Sequence, residues 1–216
     1  MKKQNLPKSL FLLMLFFNMI AFTPVTAQNL LSDPSFEEGT PNTSWFESST
    51  NFGTPLCSFG SCGSGGGTGP RTGDWWAWFG GISFYEEGEI NQALVIPSGT
   101  ATLSFWLEIP ASSGNNLDYL EVQIDGNTIA TFLENTPGYG TYTQVILDVS
   151  AYADGNSHTL RFYSEIFGPV TTNFFVDDVE LIVIPATVPV PIGVWGVLIA
   201  IGLISAVIFY RFIITR

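Results

Sequence analysis

Short segments rich in β-branched and aromatic residues recur through the middle of this 216-residue chain. Leu103, Phe105 and Leu107 alternate with polar neighbours in ATLSFWLEI, and this period of two is typical of a half-buried strand. No amphipathic helical pattern interrupts the series. Segments of this kind, bounded by Gly, Pro, Asn or Asp, lie at 75–79, 90–96, 101–109, 118–124, 128–134, 141–149, 158–164 and 173–183. The pattern predicts an all-β fold, an antiparallel β-sandwich of the jelly-roll type.

The start of the chain has a different composition. Three lysines precede an apolar stretch over residues 10–22, and small residues stand immediately before Gln28. This arrangement is typical of a secretory signal peptide, here residues 1–27, which is removed on export. The alternative is an anchor that is not cleaved.

The end of the chain indicates a membrane anchor. Residues 192–210 carry no charge, and arginines follow them. A helix over these 19 residues would be roughly 28 Å long, close to the hydrocarbon thickness of a bilayer. We therefore expect an exported domain over 28–184, a Pro-rich linker over 185–191, a transmembrane helix over 192–210 and a cytoplasmic basic tail over 211–216. The protein would then be held at the cell envelope or surface.

The exported domain is strongly acidic. It contains all 19 acidic residues of the chain and only two basic ones, Arg71 and Arg161, so its formal charge is −17. A surface of this kind repels nucleic acid and anionic lipid headgroups, which excludes a nucleic-acid partner. It suits divalent cations and neutral ligands such as glycans. The alternative is that the acidity serves only to keep a surface protein soluble.

The two cysteines stand close together in PLCSFGSCGSG. In an exported protein, Cys57 and Cys62 are expected to form a disulfide that closes a small loop. The glycine-rich segment 63–69 follows directly and offers few side chains for packing, so we expect a surface loop there.

Several segments resemble known domains. NLLSDPSFEEG, at 29–39, is similar to the opening strand of family 4 and 9 carbohydrate-binding modules and related galactose-binding-like jelly rolls. CGSGGGTGPRTGDWWAWFGG, EINQALVIPSGTATLSFWLEI, LDVSAYADGNSHTLRFYS and NFFVDDVELI resemble a MAM-like domain of bacterial cell surfaces. The resemblance covers about residues 29–184 and implies a jelly-roll fold, with adhesion or ligand binding as its function.

This resemblance also implies a structural calcium ion where the first and last strands meet. Matching the motifs gives Glu37 and Asp177 as side-chain ligands, with Asp178 and Asp33 as further candidates. Calcium takes six to eight oxygen ligands, and adjacent carboxylates in an apolar strand need compensation. Since successive side chains of a strand alternate between faces, we expect only one of Asp177 and Asp178 to point at a given site.

Aromatic side chains that stack on sugar rings are the candidate glycan ligands. The tryptophans of WWAWF, at 75–79, fall on both faces of their strand, so we expect a mainly structural role for them. Trp106 lies on the polar face of its strand and is a candidate ligand residue, together with Tyr85 and the face of strand 118–124.

Catalytic motifs do not stand out in the sequence. His158 is the only histidine and starts a strand, which is typical of an edge or surface residue. Glu87 and Glu89 are two residues apart and would point the same way, whereas glycosidase carboxyls flank the bound sugar from opposite sides. We expect a protein that is not an enzyme.

The C-terminal segment has a resemblance of its own. A proline-rich step, Trp195, an apolar run and a basic end are similar to the PEP-CTERM and IPTL-CTERM sorting signals of exosortase-type systems. This resemblance implies a sorting or processing enzyme as a partner, and a plain single-pass anchor is the alternative.

The sequence as a whole predicts a surface adhesion or matrix-binding protein with a glycan or the extracellular matrix as its partner. The alternative is a structural subunit of an envelope or extracellular assembly without a glycan ligand.

Overall fold

A computed structural model describes residues 28–185 and 194–214. The predicted signal peptide and most of the predicted linker lie outside these residues. The described part of the chain contains β1 (Phe46–Ser49), β2 (Leu56–Ser58), α1 (Phe59–Cys62), β3 (Trp75–Gly80), β4 (Glu86–Val95), β5 (Gly99–Ala111), β6 (Tyr119–Ile124), β7 (Asn127–Leu133), β8 (Thr143–Asp148), a 3-10 turn (Ser150–Tyr152), β9 (Ser157–Ile166), β10 (Asn173–Pro185) and α2 (Val194–Ile214).

The strands form two five-stranded sheets. Sheet I has the order β1-β4-β9-β6-β7, and sheet II has the order β2-β3-β10-β5-β8. Every pairing between named strands is antiparallel. The prediction of an all-β antiparallel sandwich is therefore confirmed.

All eight predicted strands are present, with ends shifted by a few residues. Pro185, assigned above to the linker, is the last residue of β10 and pairs with Gly99. The strands β1 and β2 were not predicted, because FESS and LCS are too short to display an alternating pattern.

The core lies between the two sheets and is filled by the inward side chains of both. Leu103, Phe105 and Leu107 of β5 are fully buried, as their alternation predicts. The ring of Phe105 meets that of Phe162 on the opposite sheet edge-on, with centroids 5.0 Å apart. This interleaving holds the sheets face to face and leaves each with one outer face.

A second aromatic layer covers the outer face of sheet II. Trp76 and Trp78 stack with ring centroids 6.2 Å apart, and Phe175 packs edge-on against both. The expectation that the tryptophans of 75–79 are packed on both strand faces agrees with the complete burial of Trp76 and the burial of Phe79 on the inner face.

The glycine-rich segment 63–69 lies on this aromatic layer, so the expected surface loop also serves as a cover. Asn173 donates a hydrogen bond to the Gly65 carbonyl (3.1 Å), and the Tyr142 hydroxyl donates to the Gly69 carbonyl (2.8 Å). A Cβ atom on Gly65 would stand 2.7 Å from the Phe175 ring. The absence of side chains, which suggested a loop with little packing, is what allows the backbone to approach the rings.

The predicted disulfide is present and joins β2 to α1. Cys57 and Cys62 are bonded, with their Cα atoms 6.1 Å apart. The closed loop includes α1 and ends where the glycine-rich cover begins.

The C-terminal helix α2 covers Val194–Ile214, whereas the predicted span was 192–210 with a separate basic tail. Arg211 lies in the last turn of this helix. Within residues 28–185 and 194–214, no helix has both the length and the apolar character that crossing a membrane requires. The membrane span stays a prediction.

Candidate functional site

The outer face of sheet I presents ordered rows of polar and aromatic side chains. Because residues paired across neighbouring strands point to the same side of a sheet, the register of β4, β9 and β6 defines these rows directly. The rows are Glu87–Glu165–Tyr119, then Glu89–Tyr163–Glu121, then Asn91–Arg161–Gln123. We call these nine residues the open face.

The first row is organised around Glu165. The hydroxyls of Tyr85 and Tyr119 both donate hydrogen bonds to its carboxylate, at 2.8 and 2.5 Å. The hydrogen bond to Glu165 raises the pKa of Tyr85, and burial together with the same carboxylate raises the pKa of Tyr119. Both hydroxyls therefore stay protonated at neutral pH and hold Glu165 as a fixed acceptor.

The other two rows are organised around Arg161. Its guanidinium pairs with Glu89 and donates to the Gln123 side-chain carbonyl at 3.2 Å. The same group lies 4.3 Å from the centre of the Tyr163 ring. Burial and the charge of Glu165 raise the pKa of Tyr163 to about 12.

Glu121 is held on the far side of these rows. The Gln123 amide donates to its carboxylate at 2.6 Å, and the Thr128 hydroxyl donates at 3.0 Å. Tyr119 and Tyr163 are 6.3 Å apart between ring centres. The open face thus combines neighbouring aromatic rings with acceptors and donors whose positions are fixed, which suits a ligand that carries many hydroxyl groups.

The two predicted ligand residues lie on different sheets. Tyr85 immediately precedes β4 and belongs to the edge of the open face. Trp106 lies on the outer face of sheet II, where the Arg71 guanidinium sits 3.7 Å from the ring centre. Arg71 is in turn paired with Asp178 at 2.5 Å. The polar alternation of β5 correctly places Trp106 outward, and Arg71 covers one face of its ring, as Arg161 does for Tyr163 on the open face.

Three of the four predicted metal ligands hold one loop, residues 71–75. The Glu37 carboxylate accepts the backbone N–H groups of Asp74 (3.0 Å) and Trp75 (2.9 Å). Asp177 accepts the backbone N–H groups of Arg71 (2.7 Å) and Thr72 (3.1 Å). This loop passes so close to Glu37 that only glycine fits at Gly73, where a Cβ would overlap the carboxylate.

The expectation that only one of Asp177 and Asp178 can reach a given site was wrong. Asp178 also binds this loop, because its carboxylate accepts from the Thr72 hydroxyl at 2.5 Å. The register against β5 shifts between Asp177 and Glu180, and Asp178 has a φ of 48°. A β-bulge with one left-handed residue breaks the alternation, so neighbouring side chains reach the same loop.

Asp33 is engaged elsewhere. Its carboxylate accepts from the Glu38 backbone N–H (3.2 Å) and the Asn42 amide (2.8 Å). Among residues 28–185 and 194–214, no three or more His, Cys, Asp or Glu side chains converge as metal ligands. Asp177 is nevertheless fully buried, and burial together with Asp178 raises its pKa to about 7. Glu37, Asp177 and Asp178 therefore act as hydrogen-bond acceptors for loop 71–75, and a calcium ion held by them stays a prediction.

Glu87 and Glu89 lie on one face of β4, as predicted. Both point out from the same strand, so the two carboxyls do not face each other across a ligand. His158 is the second residue of β9, and its ring nitrogens contact Asp125 (2.7 Å) and Asp154 (3.0 Å). Its neighbours hold the imidazole between two turns and not against the open face.

The sequence indicated part of the open face. The face of strand 118–124 was a candidate, and Tyr119, Glu121 and Gln123 share it. Arg161 and Tyr163 were missed, although RFYSE alternates in the same way. Alternation within one strand does not reveal which strands are neighbours, and only the pairing of β9 with both β4 and β6 brings these residues together.

Comparison with known proteins gives a likeness in structure only. No protein-family model and no curated protein sequence matches the chain. The structure of a family 61 carbohydrate-binding module in complex with β-1,4-galactotriose has a TM-score of 0.54 and 16% identity, over 73% of this chain and 99% of that one.

Two further structures are similar at lower scores. The family 22 xylan-binding domain of Xyn10C from Paenibacillus barcinonensis has a TM-score of 0.43 and 14% identity, over 75% of this chain and 98% of that one. The enzymatically active domain of tailspike protein 4 of bacteriophage CBA120 has a TM-score of 0.48 and 15% identity, over 72% of this chain and 21% of that one. At 16% identity, the likeness to the family 61 module shows the fold alone. Residues 28–185 form a jelly-roll β-sandwich, which confirms the predicted resemblance in fold.

Proposed function

We propose that this chain is a non-enzymatic, carbohydrate-binding protein and that the open face of sheet I is its binding surface. The observation that carries the proposal is the set of rows across β4, β9 and β6. Half-buried tyrosine rings stand there beside carboxylates and an amide already held in position by protein donors. Aromatic rings and fixed polar groups are the two elements that sugar recognition needs. The module bound to β-1,4-galactotriose, which has the same fold, adds support.

Calorimetric titration of the full-length protein with β-1,4-linked galacto-, gluco- and xylo-oligosaccharides tests this proposal. We expect binding to at least one series, and a loss of about fivefold in affinity for Tyr163→Ala, since an aromatic contact contributes on the order of 1 kcal/mol. The control is Phe59→Ala, another exposed aromatic residue, which lies outside the open face.

Two results would count against the proposal. One is the absence of binding across all three series, which is what the alternative of a structural subunit predicts. The other is an equal loss of affinity in Phe59→Ala and Tyr163→Ala, because the tyrosine row would then have no special role.

We also propose that calcium stabilises the fold near loop 71–75. Glu37 and Asp177 would hold the ion, with backbone carbonyls and water completing the shell. A cation there would favour the ionised form of Asp177, which burial disfavours. We expect calcium to raise the melting temperature by several degrees relative to chelator. The shift should vanish in Glu37→Gln and persist in Glu180→Gln, which alters an exposed residue on the strand of Asp177. A melting temperature that does not respond to calcium would remove the ion from the proposal.

We propose, finally, that the protein is exported and presented at the cell envelope. The signal-like pattern of residues 1–27 and the uncharged run over 192–210 support this. Intact-mass measurement of the surface-exposed protein tests both ends. A mature form that begins near Gln28 agrees with export through a cleaved signal. A form that retains Arg216 is a permanent anchor and excludes removal of the tail by a sorting enzyme.

A further inference from the structure

One end of the sandwich carries a compact group of exposed apolar side chains. They come from three connecting segments, residues 82–85, 112–117 and 167–171, none of which contains a charged residue. In a domain with 19 acidic residues, three uncharged segments at one end form a distinct surface. We call its four most apolar members the apolar tip: Phe84 (70% exposed), Leu117 (58%), Val170 (51%) and Phe167 (44%).

The three segments touch one another. The Asn115 amide donates to the Gly168 carbonyl at 3.2 Å, which joins the second segment to the third. A Cβ on Gly168 would stand 3.0 Å from the Ser83 carbonyl oxygen, so the third segment lies directly against the first. The segments that carry the four residues of the apolar tip are therefore neighbours at one end of the sandwich.

Buried hydrogen bonds hold these segments in place. Asp118 and Glu134 are both buried, and the Thr172 hydroxyl lies 2.5 Å and 3.0 Å from their carboxylates. Asp118 also accepts the Phe167 backbone N–H at 2.8 Å, and Glu134 accepts the Gly114 N–H at 3.0 Å. With their backbones fixed in this way, the exposed side chains of the tip are pre-organised, which lowers the entropy cost of binding.

Tyr85 connects the apolar tip to the open face. Its hydroxyl donates to Glu165 in the first row, while its ring lies edge-on to Phe167 with centroids 6.1 Å apart. A sugar chain that crosses the three rows, parallel to the strands, therefore reaches the apolar tip at its end. The group that contacts the apolar tip would then be part of the sugar ligand on the open face.

The size and the charge of the tip limit what it can bind. Its exposed apolar area is on the order of 400 Å², about half of what one partner buries in a standard protein interface. A second copy of this acidic chain would also bring like charges together around the contact. A small, uncharged apolar group fits both limits.

We infer that the apolar tip binds acyl substituents of the glycan that lies on the open face, so that the ligand class is an acetylated oligosaccharide. This inference rests on the proposed function. Phe84 and Val170 provide apolar contacts for the acyl methyl group, and the open face binds the sugar hydroxyls. The tip thereby selects acylated over bare sugar of the same backbone.

The test compares ligand pairs that share a sugar backbone and differ in acyl substituents, using the full-length protein. N-acetylated chito-oligosaccharides are compared with cello-oligosaccharides, which carry a hydroxyl in place of each acetamido group, and acetylated xylo-oligosaccharides are compared with the same material after alkaline deacetylation. We expect the acetylated member of at least one pair to bind about fourfold tighter, the effect of burying one methyl group. Preference in one pair identifies the N-acyl or O-acyl source.

Variants assign the preference to the tip. Phe84→Ser and Val170→Ser should each reduce the preference, and the double variant should abolish it, with unchanged affinity for the unacetylated member. Ile146→Ser is the control, since Ile146 is 65% exposed but lies on β8 of sheet II.

Four outcomes overturn the inference. Binding of both members of each pair with equal affinity removes the acyl contact while leaving the proposed function intact. A preference that survives in the double variant places the acyl contact elsewhere. Self-association of the protein that Phe84→Ser reverses, measured by light scattering, assigns the tip to a second copy. If no oligosaccharide binds at all, the proposed function fails, and the inference fails with it.

Discussion

The outer faces of the two sheets carry similar numbers of aromatic rings, but the chain covers the rings on one sheet and not on the other. On sheet II, Trp78 and Phe175 lie beneath the glycine-rich segment 63–69. Trp76 packs against both rings and has no exposed surface. On sheet I no described segment lies over the tyrosine rows, and the hydroxyl of Tyr119 is bonded to a neighbouring carboxylate. The contrast teaches that an aromatic row indicates a binding surface only where the chain leaves it uncovered.

The largest expected effect is a difference in stability between alanine variants on the two faces. Trp76→Ala should lower the free energy of unfolding by about 3–5 kcal/mol, because removing this fully buried ring leaves a cavity beside Trp78 and Phe175. Tyr163→Ala on the open face should cost much less, because its ring is only half-buried. Urea denaturation of both variants measures the difference.

A Trp76→Ala variant no less stable than Tyr163→Ala would mean that the covered layer does not support the fold. The two outer faces would then have to be regarded as equivalent candidates for ligand binding, and the glycan panel would have to be repeated with Trp76→Ala.

The next effect tests whether the glycine-rich segment must lie close to the rings. Gly65→Ala adds a Cβ that would stand 2.7 Å from Phe175, at a φ of 60°. We expect a loss of about 2–4 kcal/mol, from overpacking combined with left-handed strain. Gly114→Ala is the matched control, since its φ is 78° but its Cβ would meet nothing within 4 Å.

The control should show only the strain of a left-handed backbone, about 1–2 kcal/mol. Equal losses in the two variants would indicate that segment 63–69 does not pack on the rings, and the covered face would then be as open as the other.

A smaller effect on stability is expected at the end of sheet I that carries the apolar tip. Thr172→Val removes the hydroxyl that Asp118 and Glu134 share, and it leaves buried carboxylate oxygens without that donor. The expected cost is about 1–3 kcal/mol, measured by thermal denaturation. Thr131→Val, on the exposed side of β7, is the control and should be nearly neutral. If Thr172→Val is equally neutral, the segments that carry the apolar tip are held by other contacts.

Much of the fold could be predicted from the sequence because it depends on local patterns. Alternation along β5 gives both faces of the strand, and the resulting inward set of Leu103, Phe105 and Leu107 is correct. The strands β1 and β2 are too short to carry such a pattern. Their place is fixed by pairing with β4 and β3, which is information about other parts of the chain.

The candidate site could be predicted only in part, for two physical reasons. Alternation shows that Trp106 points outward, but it does not show that Arg71, which is distant in sequence, lies over the ring. The same rule fails at Asp177 and Asp178, because a β-bulge turns neighbouring side chains toward one loop. The covering of a ring and the position of a β-bulge both depend on contacts between distant segments. These contacts cannot be predicted from the sequence of a single strand.

The smallest expected effect on stability distinguishes the two ends of sheet I by their response to pH. At the end away from Tyr85, the half-buried His158 lies between Asp125 and Asp154, with the Tyr152 ring edge-on at 5.7 Å. Hydrogen bonds to Asp125 and then Asp154 raise the pKa of His158. Because carboxylates only accept, both ring nitrogens can donate only in the protonated ring. The stabilisation is therefore complete below the unfolded pKa of about 6.5 and is lost as pH rises through the higher folded pKa.

The melting temperature of the wild type relative to His158→Gln, measured from pH 5.5 to 9, checks this sign. The advantage of the wild type should be greatest at the acidic end of the series and shrink toward pH 9. Glycan binding should not follow the same curve, because the raised pKa values of Tyr85, Tyr119 and Tyr163 keep their hydroxyls protonated throughout. An advantage that grows with pH would mean that the imidazole is held in its neutral form. A parallel loss of glycan affinity would mean that the histidine end of the sheet, and not only the tyrosine rows, contacts the ligand.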